Sequence, residues 1–284
     1  MNKDLCDIIK GLDDLIKVKR NEEGIEIIRD MIFDDYCPTN NAAKKRQEGQ
    51  GGKCIGYSET VISAFIYLQE TFKSNDSPEK LEKDKLAQYA ILWLCYKINQ
   101  QPKVNAGIND IYNNFTEYDY WNNNYHNYVE QIKKMMDTNI EDILKFYNAF
   151  EILCKMYTEF DDDTKNCTNC SQYAEKFVKT YKELNENSNH TDGSSYSQLL
   201  HTLSSDYDNL KNCCNKKKGK SCDFPPLPPI KPTKKSAQYS LESSGLTSMQ
   251  SSEVTSQNSS IASKLIPVLS IFVAIPIFLG ISYK

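Results

Sequence analysis

The chain has 284 residues, of which 39% are hydrophobic and 25% charged, and its formal net charge is −4 at pH 7. This length allows one large domain or two smaller ones. The slightly acidic balance gives no large basic surface, which argues against general nucleic-acid binding.

The N-terminal 36 residues predict two short amphipathic helices. Apolar residues from Leu5 to Ile16 repeat at helical spacing, and the second helix is expected from about Ile25 to Phe33. The same stretch lacks the run of about seven or more apolar residues that a cleavable signal peptide needs. Export would therefore depend on a C-terminal membrane span or on an unusual route.

Apolar residues recur at helical spacing in most of the chain that follows. The uncharged run from Tyr89 to Tyr96 predicts a helix that is buried on most of its circumference, at the centre of the domain. Thr138 followed by Glu141 predicts a capping box at the start of another helix. No segment alternates with period two over a useful length, so the predicted class is all-α with about eight helices. The predicted helical segments after residue 36, including these two, are 61–72, 86–99, 108–115, 128–136, 138–157, 173–184 and 196–210.

The composition changes after Cys222. A proline run, FPPLPPIKP, is followed by residues 231–263, in which fourteen of 33 residues are Ser or Thr. Such a sequence cannot bury enough apolar surface to order itself, so residues 225–263 are predicted to be a disordered stalk. The alternative for PPLPP is a polyproline ligand for a partner domain.

The last residues, 264–284, are predicted to be a transmembrane segment. The stretch from Leu265 to Tyr283 carries no charge, and twelve of its residues are Leu, Ile, Val or Phe. It is long enough to cross a bilayer as one helix of about 20 residues. Pro267 and Pro276 are tolerated because helices in lipid can re-satisfy the freed carbonyls. The alternative is a buried helix of a soluble domain.

The chain has ten cysteines, which suggests the oxidising side of a membrane; free thiols in a reducing compartment are the alternative. Cys95 and Cys154 lie in apolar helices and are expected to be buried free thiols. Connectivity among the others stays open, because eight cysteines allow about 105 pairings. A zinc site built from four of the five thiolates between Cys167 and Cys222 is the alternative to disulfides. The candidate disulfide cysteines are Cys6, Cys37, Cys54, Cys167, Cys170, Cys213, Cys214 and Cys222.

No catalytic, cofactor or metal site is predicted. The histidines His126, His190 and His201 lie in no HExxH motif and beside no nucleophile motif. The sequence has no phosphate-binding glycine loop, and the acidic run 161–163 lacks the spacing of a calcium loop. We therefore expect a protein that is not an enzyme and has no small-molecule substrate.

Several motifs in series resemble the Plasmodium interspersed repeat (PIR) family, specifically its rodent-parasite Yir/Bir/Cir group. The resemblance covers roughly residues 86–284, and Cys6, Cys37 and Cys54 look like the N-terminal cysteines of the family. The family continues into a basic aromatic tail, so the cytoplasmic tail is expected to be absent or truncated here. The motifs are YAILWLCYKINQ (89–100), FYNAFEILCKMYTEF (146–160), CTNC (167–170), FVKTYKELNEN (177–187), YSQLLHTLSSDYDNLKN (196–212) and SKLIPVLSIFVAIPIFLGISYK (263–284).

The resemblance implies a membrane-anchored variant antigen of malaria parasites, displayed at or near the infected red-cell surface. Residues 1–224 would form its cysteine-bonded helical ectodomain. The expected partners are the lipid bilayer and a host-cell receptor or an antibody, and the implied roles are immune evasion and adhesion. The alternative is an internal parasite or vacuolar membrane protein whose helical domain acts as a scaffold.

Overall fold

The computed structural model describes residues 1–21, 24–38, 53–54, 56–74, 83–101, 104–161, 163, 166–187, 191, 193–215 and 223–231. All of them belong to the first of two compact units, Met1–Ser243. This part of the chain is mostly helical, as predicted, with one β-hairpin. Its elements are α1 (Lys3–Leu15), β1 (Ile16–Asn21), β2 (Gly24–Arg29), a 3-10 helix (Met31–Tyr36), α2 (Tyr57–Ser74), α3 (Lys83–Asn99), α4 (Ile108–Glu117), α5 (Asp119–Asn124), α6 (His126–Lys133), α7 (Ile140–Glu159), α8 (Cys170–Asn185) and α9 (Ser195–Asn215).

The first predicted helix is present as α1. The side chain of Asn2 caps it by accepting a hydrogen bond from the backbone N–H of Leu5 (3.1 Å). Leu5, Ile9 and Leu12 are buried along one face of the helix. The apolar periodicity therefore predicted both the helix and the face that it turns toward the core.

The second predicted helix, from Ile25 to Phe33, is wrong, because this region forms an antiparallel hairpin and a 3-10 helix. In the hairpin Val18 pairs with Ile27, and both pack against the core, while Lys17 on the opposite face is exposed. The alternation of β-branched and charged residues over 16–19 and 25–27 has the period of a strand. This alternation extends over only three or four residues on each strand. The region was therefore interpreted as a continuation of the helical pattern that precedes it.

The helix expected at the domain centre is α3. Each residue from Tyr89 to Cys95 is at most 1% exposed, which confirms that the helix is buried on most of its circumference. It packs against α2 and α7, and the ring of Tyr89 stacks on Phe150 of α7 with centroids 4.5 Å apart. Because α7 also contacts α1, α8 and α9, these two helices hold the core together.

The start of α7 differs by one residue from the prediction. Its N-cap is Asn139 rather than Thr138, and the Asn139 side chain accepts a hydrogen bond from the backbone N–H of Asp142 (2.9 Å). A second difference lies between the predicted segments 108–115 and 128–136, where no helix was predicted and the structure has the short helix α5. Its Trp121 is fully buried and donates from Nε1 to the carbonyl of Tyr36 (2.7 Å), so this segment packs against the N-terminal region.

The proline run was assigned to the stalk, and the structure corrects its first residues. Residues 223–231 lie against α8 and α9, with Phe224 buried beside Tyr207 (ring centroids 5.9 Å apart). The amide of Asn185 donates to the carbonyl of Pro229 (2.8 Å) and accepts from the backbone N–H of Lys231 (3.0 Å). Phe224, Leu227 and Ile230 supply the apolar contacts that the composition of the stretch did not suggest.

The rest of the predicted stalk, 232–263, lies outside the described residues. So does the predicted membrane segment, including Leu265, Pro267, Pro276 and Tyr283. Among the helices that the structure describes, none has both the length and the apolar character that a membrane span needs. These two expectations remain predictions.

Candidate functional site

Three disulfides join described cysteines. Their Cα atoms are 5.2 to 5.4 Å apart, which is the ordinary separation for this bond. Two of the bonds close short loops, whereas the third crosses the core from α1 to α7 over 148 residues. The pairs are Cys6–Cys154, Cys37–Cys54 and Cys167–Cys170.

Cys154 was expected to be a free thiol, and that expectation is wrong. Cys6 lies in the buried stripe of α1, next to Leu5 and one turn before Ile9. A cysteine on that face must point into the core, and its partner must therefore lie on a helix that packs against it. The position of Cys6 in the apolar stripe was a signal for a partner in a core helix, which leaves Cys95 and Cys154 as the candidates.

The two adjacent cysteines at the end of α9, Cys213 and Cys214, differ in their bonding state. Cys214 is fully buried and disulfide-bonded, whereas Cys213 is half-buried and carries a free thiol. Adjacent residues on a helix point about 100° apart, so only one of the two faces the core. The inclusion of Cys213 in the disulfide set is therefore wrong, Cys95 is free as expected, and Cys222 lies outside the described residues.

A zinc site is not compatible with these bonds. Cys167 and Cys170 are joined to each other, so neither supplies a thiolate. Asp34, Cys37 and Cys54 also place their ligand atoms within 4.8 Å of one another. There the two sulfurs are joined, and Arg29 donates to the Asp34 carboxylate (2.6 Å). This group therefore fixes the Cys37–Cys54 bridge and does not have the donor set of a metal site.

The buried carboxylate of Asp206 on α9 joins three parts of the chain. Its Oδ1 lies 2.9 Å from the amino group of Met1 and 3.5 Å from Nζ of Lys85, and its Oδ2 accepts from the hydroxyl of Tyr89 (2.6 Å). Burial, followed by the charge of Asp206, raises the pKa of Tyr89 well above its ordinary value. The carboxylate is fully buried and is paired with groups from three segments of the domain, so we assign it a structural role.

Asp13 on α1 has a similar role beside α3. It accepts hydrogen bonds from Nε1 of Trp93 (2.9 Å) and from Nζ of Lys97 (2.8 Å). Lys97 is itself buried. The ion pair between Lys97 and Asp13 ties α1 to the C-terminal end of α3.

A small polar pocket of about 220 Å³ lies between the start of α7 and the segment before α9. Asp142 accepts hydrogen bonds there from the amides of Asn139 (2.6 Å) and Asn187 (2.9 Å), and Asp137 accepts from the hydroxyl of Ser195. These carboxylates are engaged in joining segments to each other. The described lining residues include no histidine and no cysteine that could act as base or nucleophile.

A larger, open groove of about 640 Å³ follows β1. Residues 16–19 line one side, and Asp13, Lys97 and Gln100 line the other. Lys17 and Lys19 are exposed beside it. This surface was not predicted from the sequence, because the apolar pattern of the region was interpreted as helical.

The comparisons with known proteins agree with this architecture. The model of the family described as "Plasmodium variant antigen protein Cir/Yir/Bir" matches residues 6–284. The chain belongs to the Cir/Yir/Bir family. The resemblance identified from residues 86–284 is thus confirmed, and the match extends through the N-terminal cysteines.

A solved structure of a Plasmodium relative is similar to this chain. It is the "Structure of a Plasmodium PIR protein ectodomain", which is 34% identical in sequence, with a TM-score of 0.56. The similarity covers 80% of this chain and 98% of that one. No curated protein matches the sequence.

Proposed function

We propose that this Cir/Yir/Bir protein is a membrane-anchored variant surface antigen that acts in immune evasion and in adhesion to host cells. In this proposal residues 1–231 form the displayed domain, and the anchor lies in 264–284. It acts by presenting surface to antibodies or receptors, and it is not an enzyme.

The Cys6–Cys154 disulfide is the observation that carries the proposal. Both cysteines belong to helices of the core, so the bond must form as the domain folds. Disulfides of this kind persist in oxidising compartments and are rare in the cytosol. The similarity to a PIR ectodomain supports the same orientation, with the helical domain outside the membrane.

Accessibility on intact infected cells tests the proposal. We expect antibodies raised against the purified protein to bind before permeabilisation, and external protease to remove the signal. We choose antibodies instead of an N-terminal tag, because a tag would disturb the amino group of Met1, which is paired with Asp206. Staining only after permeabilisation would contradict surface display and favour the internal scaffold.

A further inference from the structure

Among the residues that the structure describes, no strand pairs with the second edge of β1. β1 and β2 form a two-stranded antiparallel sheet, so in the described part of the chain each strand pairs on one side only. An unpaired edge presents backbone N–H and C=O groups that can pair with another chain. Proteins commonly use such edges to bind extended segments as an additional strand.

The register shows which backbone groups point away from the sheet. The N–H of Asp30 donates to the carbonyl of Leu15 (3.1 Å), which makes these residues a hydrogen-bonded pair at the end of the ladder. Hydrogen-bonded and non-hydrogen-bonded pairs alternate along an antiparallel ladder. Three positions further on, Val18 and Ile27 are therefore a non-hydrogen-bonded pair. The N–H and C=O of Val18 point outward from β1.

The groove beside β1 leaves this edge accessible. Successive residues of a strand point to opposite faces of the sheet, yet all four residues 16–19 line the groove. The groove must therefore run along the edge rather than over one face. Its far side is formed by Lys97 of α3, by Gln100 directly after that helix and by Asp13 of α1, so a bound strand would lie between the hairpin and these helices.

The charges on the face of the hairpin opposite the core indicate which kind of segment could bind. Lys17 and Lys19 both point to that face and are exposed. Lys17 lies 3.3 Å from Asp14, but both side chains are more than half exposed, and such surface pairs contribute little. Across the ladder from Lys17, the apolar side chain of Ile28 is 37% exposed. Across from Lys19 lies Glu26, which is also exposed. The face therefore offers two positive charges, one negative charge and an apolar side chain, which leaves an excess of positive charge.

We propose that the free edge of β1 binds an extended, acidic segment of a partner protein as a third strand. The segment's backbone pairs with the N–H and C=O of Val18, and its alternate acidic side chains meet Lys17 and Lys19. This inference deepens the adhesion part of the proposed function, on which it rests, by naming the surface and the chemistry of the partner.

A synthetic peptide tests this site on the purified full-length chain with its disulfides intact. The probe is a fluorescent peptide of about eight residues in which Glu and Val alternate, and its counterpart alternates Lys and Val. We expect saturable binding of the Glu peptide only. Val18→Pro removes the outward N–H without touching the ladder to β2, and we expect it to raise the Kd at least about tenfold. The double variant Lys17→Glu with Lys19→Glu should weaken binding by a similar factor.

The control is an equal charge reversal on α8, Lys179→Glu with Lys182→Glu, which should leave the Kd unchanged. Hydrogen exchange of the unaltered protein gives a second readout, which holds even where Val18→Pro impairs folding. We expect the peptide to protect the amide of Val18, whereas the amides of Lys17 and Lys19 already face β2.

Several outcomes would overturn the proposal: no saturable binding, equal binding of the Lys peptide, an equal loss in the α8 control, or unchanged exchange at Val18. Unchanged exchange at Val18 would mean that the peptide is held by charge attraction alone, without pairing to the backbone of β1. Because the test uses purified protein, its failure would leave surface display intact. Conversely, an internal location in cells would leave the peptide result unchanged.

Discussion

At the scale of the residue, buried polar groups set the energetics of this domain. Asp206 is fully buried between the Met1 amino group, Lys85 and Tyr89. Removing one partner of a buried ionic group leaves the other charge uncompensated in a low dielectric, which costs more than the pair itself contributes. We therefore expect Asp206→Asn to lower the free energy of unfolding by about 3 kcal/mol.

Urea unfolding measures this change, and Asp208→Asn is the matched control. Asp208 is two residues further along α9 and is exposed, so its substitution should change the stability by less than about 0.5 kcal/mol. Equal effects of the two substitutions would show that the buried contacts of Asp206 contribute no more to the free energy of unfolding than an exposed carboxylate does.

The tyrosines of α8 and α9 allow a second comparison. The buried hydroxyl of Tyr181 makes no hydrogen bond in the described structure, although Ser204 lies near enough to influence its pKa. The hydroxyl of Tyr196 donates to the carbonyl of Leu184 (2.7 Å). Tyr181→Phe should therefore leave the free energy of unfolding unchanged or raise it, whereas Tyr196→Phe should lower it by about 1 kcal/mol. A loss of stability in Tyr181→Phe as large as in Tyr196→Phe would show that the Tyr181 hydroxyl is bonded.

At the scale of the element, two side chains hold the segment 223–231 by hydrogen bonds. Asn185 of α8 bonds Pro229 and Lys231, and the hydroxyl of Tyr207 of α9 donates to the carbonyl of Pro225 (2.7 Å). We expect Asn185→Ala to make this segment sensitive to limited proteolysis while the helical core stays folded. The exposed residue Glu183 provides the control, since Glu183→Ala should leave the cleavage rate unchanged. Unaltered resistance in Asn185→Ala would mean that the apolar contacts and the Tyr207–Pro225 hydrogen bond hold the segment without Asn185.

The elements also show what the sequence could and could not predict. The long helices α3 and α7 were predictable because their apolar residues repeat over many turns. The hairpin was missed because its period-two alternation extends over only a few residues on each strand. The position of 223–231 was also missed, since its burial depends on grooves formed by α8 and α9 that composition does not reveal. Cys154 was misassigned because pairing depends on which helices pack together.

At the scale of the whole molecule, buried tyrosines make stability depend on alkaline pH. Burial raises the pKa of Tyr181 to about 12, and burial followed by nearby carboxylates raises the pKa of Tyr89 and Tyr147 further. In the unfolded chain these hydroxyls ionise near pH 10. Above that pH the folded state binds more protons than the unfolded state, so the free energy of unfolding falls as pH rises.

Tyrosine absorbance and circular dichroism together check this dependence. We expect the stability to be unaffected by these groups below about pH 9 and to decrease from about pH 10 upward. The buried tyrosines should ionise only as the helical signal is lost. Complete ionisation of the tyrosines in a folded protein would contradict the burial described here.

A displayed antigen with these disulfides requires a domain that folds in an oxidising compartment. The measurement that tests this most directly is the state of Cys6 and Cys154 in protein taken from infected cells, with free thiols alkylated at lysis. Mass spectrometry of the non-reduced digest should find the two cysteine peptides joined. If both cysteines are instead found alkylated, the domain lies in a reducing compartment, and its assignment as a displayed antigen is wrong.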